Sequence, residues 1–466
     1  MKKINKKHKV LIVISGDTFF RNYITTNALS KLEKDYECAY LFSSSLKEKV
    51  LQRSILKSFF YTISTKQREL SQEFFNLLMR RNKKKSKSFA FRISRLDNYT
   101  FPRSGTIPEK IIKWFAKIAL LLLRQIKYLL LTSNFIFPYY VKKLKNKLEI
   151  SKSLLSAIEV IKPSLIVFPS SAYEPETYDL IKICKLKKIR LLFLIDNWDN
   201  FSSKSILPDL PDHAAVWGQQ SREHGIQIQG FKPSQITPIG TPRFDSYFQL
   251  RNRKLQRVFE FKYILFLGTA LDFDEIGALI ELDKILEGNP SYFKGVKIVY
   301  RPHPWRQGQD SILGLELKNV VIDPQVFDYY SKNLSSSRFQ PELDYYPFLL
   351  KNAECVIGGL TSMIIESLIF RKCFLALVYN DKKNLTSQHN VLKNYEHLKG
   401  IEKIKAITFC HNFSNLENDF LDLWNTRFSM DFKKIDDQRR YYLYDDERTY
   451  SERLADICQE LLLSPN

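Results

Sequence analysis

The sequence is sparing with the residues that build disulfide frameworks, zinc sites and membrane spans. Its six cysteines are spread along 466 residues without a CxxC pair or a short Cys/His spacing. Disulfides and a metal site are therefore disfavoured, and a reducing, cytoplasmic setting is expected. No run reaches the roughly 18–20 uncharged apolar residues of a membrane-spanning helix. The apolar run after the lysine-rich start is too short for a signal peptide and is predicted to be a buried strand.

Acidic residues are scarce in the first third of the chain. Residues 1–150 hold 32 of the 72 Lys and Arg residues but only 10 of the 50 Asp and Glu residues. Such a segment attracts an anionic surface, either phospholipid or nucleic acid. Because the sequence contains no recognisable nucleic-acid-binding module, nucleic acid is not an expected partner.

One stretch of this segment, residues 111–131, combines apolar and basic residues at helical spacing. Its charged residues are Lys113, Lys117, Arg124 and Lys127. They fall within an arc of roughly 80° on a helical wheel, and apolar residues occupy the rest. An apolar helix with a basic edge is typical of a membrane interface, so we predict a peripheral position on the inner face of an anionic membrane through residues 80–147. The alternative is a core helix with one wet basic edge.

Short apolar runs alternate with amphipathic segments along the chain. This alternation predicts parallel sheets covered by helices on both faces. Two such series are predicted, in an N-terminal domain of residues 1–245 and a C-terminal domain of residues 246–466, whose last helix spans about residues 448–463. The N-terminal domain carries a helical basic insertion at about residues 45–150. The predicted fold is therefore α/β with two Rossmann-like domains.

A glycine–hydroxyl turn follows one predicted strand of the C-terminal domain, where open parallel sheets bind ligands. It contains Gly359, Thr361 and Ser362, and Glu366 follows about one helical turn later. Glycine permits close backbone approach, and hydroxyl and helix N–H groups suit phosphate oxygens. The Glu366 carboxylate suits ribose hydroxyls. The alternative is an ordinary capped helix start, with Glu366 completing a capping box.

Two further loops of the same predicted sheet suit the phosphates of a donor, meaning a ligand that carries the group to be transferred. Arg301 and His303 lie among prolines that fix an extended turn after a strand. The guanidinium is a bidentate phosphate donor, and the imidazole can serve a diphosphate or a leaving group. Gly268 and Thr269 open the domain with a glycine loop. A surface histidine in a proline-rich loop is the alternative for His303.

Candidate acceptor-binding residues follow a strand of the N-terminal domain. In this segment Asp196 or Asp199 is a candidate general base, Asn197 and Asn200 suit sugar hydroxyls, and Trp198 suits a pyranose face. The alternative is an Asx-rich turn.

Four more residues are lesser candidates for the acceptor side, and they are Lys204, Arg243, Glu174 and Asp17. Lys204 extends the Asp196–Asn200 segment. Glu174 and Asp17 each follow a predicted strand. Arg243 belongs to a glycine turn at the predicted domain junction, where a plain connection is the alternative.

With these residues assembled, the chain resembles the GT-B glycosyltransferase superfamily. Within it the likeness is to CDP-glycerol glycerophosphotransferases and related capsule and surface-polysaccharide transferases. It covers roughly residues 160–380. The segments that carry it are PIGTPRFD at 238–245, ILFLGT at 264–269, YRPHP at 300–304 and DYYPFLLKNAECVIGGLTSMIIESLIFRKC at 344–373.

The resemblance implies two Rossmann-like domains facing a cleft, with the donor bound mainly by the C-terminal domain. It implies no cofactor beyond the nucleotide-activated donor. His303 would contact the donor phosphates, Thr361 and Ser362 would hold the diphosphate, and Glu366 would face the ribose.

One departure from the family shifts the expected chemistry. The glycerophosphotransferases have a histidine-bearing loop in their N-terminal half, whereas here only His8 precedes His213. The expected function is therefore sugar transfer from a nucleotide-sugar donor to a glycan or lipid-linked acceptor, with an aspartate as base or nucleophile. The expected product is a bacterial-type capsule, O-antigen or teichoic-acid-like polymer. The alternatives are glycerophosphate transfer, nucleotide-sugar 2-epimerisation and a non-catalytic membrane-surface scaffold.

Overall fold

The chain folds into two units, each built around its own parallel sheet. The structure, a computed structural model, describes residues 8–53, 55, 57–97, 107–304, 312–331 and 343–464. The first unit extends to Ile239 and resumes at Ser451, and the second comprises Gly240–Tyr450. The chain thus divides ahead of the predicted boundary at residue 245.

The last helix, Tyr450–Leu463, belongs largely to the first unit, although we predicted it for the second domain. The Ser451 hydroxyl oxygen accepts a hydrogen bond from the Lys31 N–H at 2.8 Å. Arg453 Nε donates to the carbonyl oxygen of Ile239 at 2.9 Å. An amphipathic pattern predicts a helix but does not show which sheet it covers.

The sheet of the first unit has the strand order β3-β2-β1-β4-β5-β6-β7, with every pairing parallel. The strands are β1 (Lys9–Ile14), β2 (Glu37–Ser43), β3 (Ser58–Tyr61), β4 (Leu165–Ser170), β5 (Arg190–Ile195), β6 (His213–Val216) and β7 (Ile236–Pro238). Residues 10–14 are completely buried, as expected of a strand covered on both faces. Strand β3 lies inside the predicted insertion, so that segment is less uniformly helical than we expected.

Helices surround this sheet and form most of the insertion. Their bounds are Asp17–Phe19, Ser30–Asp35, Lys47–Gln52, Thr65–Arg81, Lys87–Leu96, Ile107–Leu131, Ile136–Lys147, Lys152–Ile161, Glu176–Lys187, Asn200–Ser203, Gln219–His224 and Tyr450–Leu463. Serine side chains cap several of them. Ser151, for example, accepts a hydrogen bond from the Leu154 N–H. Within the described ranges, no helix combines the length and apolar character that crossing a bilayer requires.

The sheet of the second unit has the order β10-β9-β8-β11-β12-β13 and is also parallel. The strands are β8 (Lys262–Leu267), β9 (Val296–Arg301), β10 (Val320–Ile322), β11 (Val356–Gly358), β12 (Phe374–Leu377) and β13 (Ile407–Cys410). The helices are Asp245–Arg251, Glu275–Gly288, Pro324–Ser331, Tyr345–Asn352, Met363–Ile369, Gln388–Asn394, Leu416–Thr426 and Phe432–Arg440.

The strand order reverses direction at one point in each sheet. The reversal lies between β1 and β4 in the first unit and between β8 and β11 in the second. In doubly wound sheets, ligands bind beyond the carboxyl ends of the strands at this point. The loops that follow these strands are therefore the parts of the fold to examine for a site.

Two carboxyl groups are buried near the start of the helix Glu176–Lys187. Glu176 accepts a hydrogen bond from the Tyr61 hydroxyl at 3.0 Å, and Asp179 accepts one from Gln67 Nε2 at 2.6 Å. Desolvation is the largest cause of the shifts at both groups. It raises the pKa of Glu176 to about 7 and the pKa of Asp179 to about 6.

We expect Glu176→Gln to flatten the pH dependence of stability between about pH 4.5 and 7. A raised pKa means that the folded chain binds this proton more tightly than the unfolded chain. The group's contribution is therefore fully present below its ordinary pKa of 4.5 and is lost as the pH rises through about 7. The shift corresponds to about 3 kcal/mol.

Urea unfolding of the first unit at acidic and at alkaline pH measures this difference. The wild type should lose more stability than the variant as the pH rises. Glu48→Gln, which removes an exposed carboxylate of the same unit, should follow the wild type. A Glu176→Gln profile parallel to that of the wild type would show that this carboxyl does not control the pH dependence.

Candidate functional site

The carboxyl ends of β8, β9 and β11 approach one another so closely that glycine is required. A β-carbon on Gly358 would lie 2.4 Å from the carbonyl oxygen of Leu267. One on Gly359 would lie 2.6 Å from Thr269 Cγ2, and one on Gly268 would lie 2.8 Å from the backbone nitrogen of His303. These separations are far inside van der Waals contact, so only hydrogen fits at each position.

Two buried side chains fix the loops at this edge, and sequence analysis missed both. Glu275 accepts a hydrogen bond from the Thr269 N–H at 2.8 Å and another from the Tyr300 hydroxyl at 2.8 Å. Gln388 Oε1 accepts the Leu360 N–H at 2.7 Å. An acid in the first turn of a helix is an ordinary feature, and nothing near Gln388 in sequence indicates this contact. The hydrogen bonds of both side chains form only when tertiary packing brings these separate segments of the chain together.

The hydroxyl groups of Thr361 and Ser362 lie at the surface of this edge. Both residues are partly exposed, and neither side chain makes a hydrogen bond to another residue in the described part of the chain. Ser362 occupies the N-cap position of the helix Met363–Ile369 without capping it. The capping-box alternative is therefore wrong, and both hydroxyls are available to a ligand.

Glu366 contacts two side chains of the second unit. Its Oε2 accepts a hydrogen bond from the Tyr247 hydroxyl at 3.0 Å, and Arg243 Nη2 lies 3.5 Å from its Oε1. We predicted Glu366 for the donor side and Arg243 for the acceptor side. The structure instead brings them together as an ion pair.

Arg301 is directed into the second unit. It is 3% exposed, its Nε lies 3.7 Å from Asp323 Oδ2, and its guanidinium donates to the Tyr346 hydroxyl. Burial lowers the pKa of Arg301 and raises the pKa of Asp323. The predicted role of Arg301 as a phosphate ligand therefore finds no support in its position. His303, by contrast, is partly exposed beside Gly268.

The segment Asp196–Asn200 forms a compact Asx-rich turn after β5. Asn200 Oδ1 accepts the Asn197 N–H at 2.7 Å, and Asn197 Oδ1 accepts the Trp198 N–H at 3.0 Å. Asp196 Oδ1 accepts a hydrogen bond from the Nδ2 of the buried Asn22 at 2.8 Å. Asp199 is partly exposed, and it accepts a hydrogen bond from the Ser203 hydroxyl at 2.6 Å.

Two predictions within this turn need correction. Trp198 is 3% exposed, so its indole leaves almost no face for stacking on a sugar. Asn200 is also buried, and its side-chain oxygen is engaged within the turn. Both side chains shape the turn, whereas Asn197 and Asp199 are partly exposed.

The basic insertion holds the loop that follows this turn. The Ser86 hydroxyl donates to the carbonyl oxygen of Ser202 at 2.6 Å, and Arg92 Nη1 donates to that of Lys204 at 2.9 Å. In return, the Ser205 hydroxyl donates to the carbonyl oxygen of Phe75 at 2.7 Å. The Lys204 ammonium lies 3.9 Å from Asp199 Oδ2. The insertion thus determines the shape of the candidate acceptor loop.

The two remaining acceptor candidates, Glu174 and Asp17, bond to residues near them in the first unit. Glu174 accepts hydrogen bonds from the Ser170 hydroxyl and the Ser171 N–H, each at 2.7 Å, and so closes the loop after β4. Asp17 forms an ion pair with Lys49 at 2.5 Å at the end of β1. Both lie at the carboxyl edge of the first sheet, as predicted from their positions after strands.

Comparison with known proteins identifies the fold. No family model and no curated protein matches the chain. Among solved structures, the UDP-GlcNAc 2-epimerase from Methanocaldococcus jannaschii is similar with a TM-score of 0.53 at 10% identity, over 97% of this chain and 99% of that one. The UDP-GlcNAc 2-epimerase from Neisseria meningitidis, bound to UDP-GlcNAc, gives a TM-score of 0.52 at 10% identity, over 97% and 100%.

A putative UDP-N-acetylglucosamine 2-epimerase from Listeria monocytogenes gives a TM-score of 0.51 at 12% identity, over 98% of each chain. At such identities the similarity establishes the fold. The chain has the GT-B fold with two Rossmann-like domains, which confirms the predicted fold class.

We expect Gly358→Ala to destabilise the second unit by about 1–3 kcal/mol, because the added methyl group collides with backbone that cannot move without displacing β8. Gly288→Ala is the matched control, since its β-carbon would meet no atom within 4 Å and alanine favours a helix. Urea unfolding of the second unit measures both variants. Equal midpoints would contradict the close approach of β8 and β11.

Proposed function

We propose that the chain is a glycosyltransferase that transfers a sugar from a nucleotide-linked donor to a hydroxyl acceptor. The observation that carries the proposal is the carboxyl edge of β8, β9 and β11. There, close-packed glycine backbone, the partly exposed His303 and the unbonded hydroxyls of Thr361 and Ser362 meet at the point where a doubly wound sheet binds ligands. No cofactor beyond the nucleotide donor is required.

We assign the donor to this edge of the second unit. The hydroxyls of Thr361 and Ser362 donate to the diphosphate, and His303 stabilises the phosphate that departs with the nucleotide. The N–H groups of Thr269 and Leu360 are already bonded to Glu275 and Gln388, so these side chains act by shaping the loop. Glu366, oriented by Tyr247 and Arg243, accepts hydrogen bonds from the ribose.

We assign the acceptor to the first unit. Asp196 or Asp199 removes the proton from the acceptor hydroxyl as that oxygen attacks the activated sugar carbon. Asp196 is held by Asn22, and Asp199 by Ser203. Comparing Asp196→Asn with Asp199→Asn separates the candidates, because loss of the general base lowers turnover far more than loss of the other carboxylate.

The proposed acceptor is a glycan or lipid-linked glycan of a bacterial-type surface polymer. This part of the proposal rests on the resemblance of residues 238–373 to surface-polysaccharide transferases. Glycerophosphate transfer from CDP-glycerol would use the same phosphate edge, so a screen of donors has to include CDP-glycerol beside nucleotide sugars.

A second candidate function is nucleotide-sugar 2-epimerisation. It is favoured by the comparisons, since the similar structures described above are UDP-GlcNAc 2-epimerases or a putative one. An epimerase acts on the nucleotide sugar alone, whereas a transferase needs an acceptor hydroxyl. The two functions therefore differ in a single experimental requirement.

Donor binding is the first of three predictions that follow from this proposed function. We expect the matching nucleotide-linked donor to raise the melting temperature by mass action. Thr361→Ala and Ser362→Ala should each weaken that donor on the order of tenfold, because each removes a hydrogen bond to a charged phosphate. Ser414→Ala, which removes an exposed hydroxyl elsewhere in the second unit, should bind like the wild type. Unchanged binding by both site variants would refute the assignment.

Turnover is the second prediction. His303→Ala should lower kcat on the order of 10²–10³-fold while leaving the fold intact, because one donor to the departing phosphate is lost. Full activity in this variant would reject the role of His303.

The requirement for an acceptor is the third prediction. Purified protein incubated with UDP-GlcNAc alone should leave the sugar unchanged in an NMR time course, and glycosylated product should form only when acceptor is added. Accumulation of the 2-epimer without acceptor would establish the epimerase instead.

A further inference from the structure

The helix Ile107–Leu131 leaves one whole face of large apolar side chains exposed. At 100° per residue this face covers an arc of about 120°. Its large apolar side chains are between 42% and 73% exposed. They are Ile111, Ile112, Phe115, Leu122, Leu123, Ile126, Leu129 and Leu130. We call them the apolar arc. A continuous apolar surface of this kind on a folded chain marks an interaction site.

The opposite face of this helix is fixed to the first unit. Arg124 Nε lies 3.6 Å from Asp97 Oδ1, and Asp97 pairs with Arg80 at 2.6 Å. The Arg80 guanidinium lies 4.1 Å from the centroid of the Tyr128 ring. These contacts fix the rotation of the helix about its own axis. The apolar arc is therefore held facing away from the first unit.

Cations accompany the apolar arc along both of its margins. Lys127 and Lys113 lie beyond one margin of the arc, about 40° and 80° from it on the helical wheel, whereas Lys117 lies opposite the arc. Towards the other margin, Gln125 lines an open pocket of about 710 Å³ together with Lys83, Lys84 and Lys87. Asp97 also lines it, and its carboxylate is paired with Arg80 and Arg124. All three of these lysines are exposed, and none forms an ion pair within the described ranges.

We propose that the apolar arc inserts into the interface of a bilayer that contains anionic phospholipid, with the helix parallel to the membrane plane. Apolar side chains enter the acyl boundary, and the flanking lysines contact phosphate headgroups, the pocket of Lys83, Lys84 and Lys87 taking one of them. Charge complementarity selects this occupant, because a purely apolar partner would gain nothing from cations on both margins. The surface lies in the first unit and does not rest on the proposed chemistry.

Flotation of the full chain with phospholipid vesicles tests this proposal. We expect binding to vesicles of phosphatidylcholine mixed with phosphatidylglycerol, little binding to phosphatidylcholine alone, and weaker binding at high salt because surface charges are screened. The triple variant Phe115→Gln/Ile126→Gln/Leu130→Gln should bind at least about tenfold more weakly. Lys83→Gln/Lys84→Gln/Lys87→Gln should lose affinity and much of the salt dependence.

A matched control separates this surface from general surface apolarity. Val160→Gln/Leu186→Gln/Leu463→Gln removes three apolar side chains of the first unit that are 68–71% exposed, and it should bind like the wild type. Failure of the wild type to bind anionic vesicles would overturn the proposal, and so would equal binding by this control and the arc variant, Phe115→Gln/Ile126→Gln/Leu130→Gln. So would a wild-type dimer that only the arc variant converts to a monomer in light scattering, because a second copy would then cover the arc.

Discussion

The contact between the end of β8 and the glycine turn after β11 determines the shape of the carboxyl edge of the second sheet. The carbonyl oxygen of Leu267 takes the space of a β-carbon at residue 358, and the methyl group of Thr269 takes that of one at residue 359. With the loops pressed together, the N–H groups of Thr269 and Leu360 turn towards Glu275 and Gln388. In the proposed function, phosphate recognition at this edge therefore falls to side-chain hydroxyls and the imidazole more than to these two backbone donors.

The first unit determines its candidate site differently, through an insertion. Helices of the insertion pack Phe74, Leu77 and Phe89 in one cluster with Tyr178 and Ile228, which lie in helical segments between the strands of the first sheet. From this base, a buried hydrogen bond from Ser86 and a partly buried one from Arg92 reach the carbonyl oxygens of Ser202 and Lys204, just after the Asp196–Asn200 turn. A loop so held has little freedom to rearrange, which is the condition for positioning an acceptor hydroxyl accurately.

Sequence analysis was most accurate where local pattern and tertiary environment agree. Continuous apolar runs such as residues 10–14 predicted central strands, whereas the strands β3 and β13 lie at sheet edges, are short and carry half-buried residues. Trp198 and Arg301 were misjudged for a common reason. Each follows or ends a strand and has the chemistry of a ligand contact, but burial and, for Arg301, the partner Asp323 are set by packing that no local pattern contains.

The insertion has two different faces. Its inner face is apolar core, and Lys83, Lys84 and Lys87 are exposed around a pocket that Gln125, in the helix of the apolar arc, also lines. The basic turn Lys83–Lys85 is followed directly by Ser86, the residue that bonds the carbonyl oxygen of Ser202. The proposed membrane surface and the candidate acceptor loop are therefore joined through one buried hydrogen bond. In the proposed function, a lipid-linked acceptor would meet both features on the same short segment of the chain.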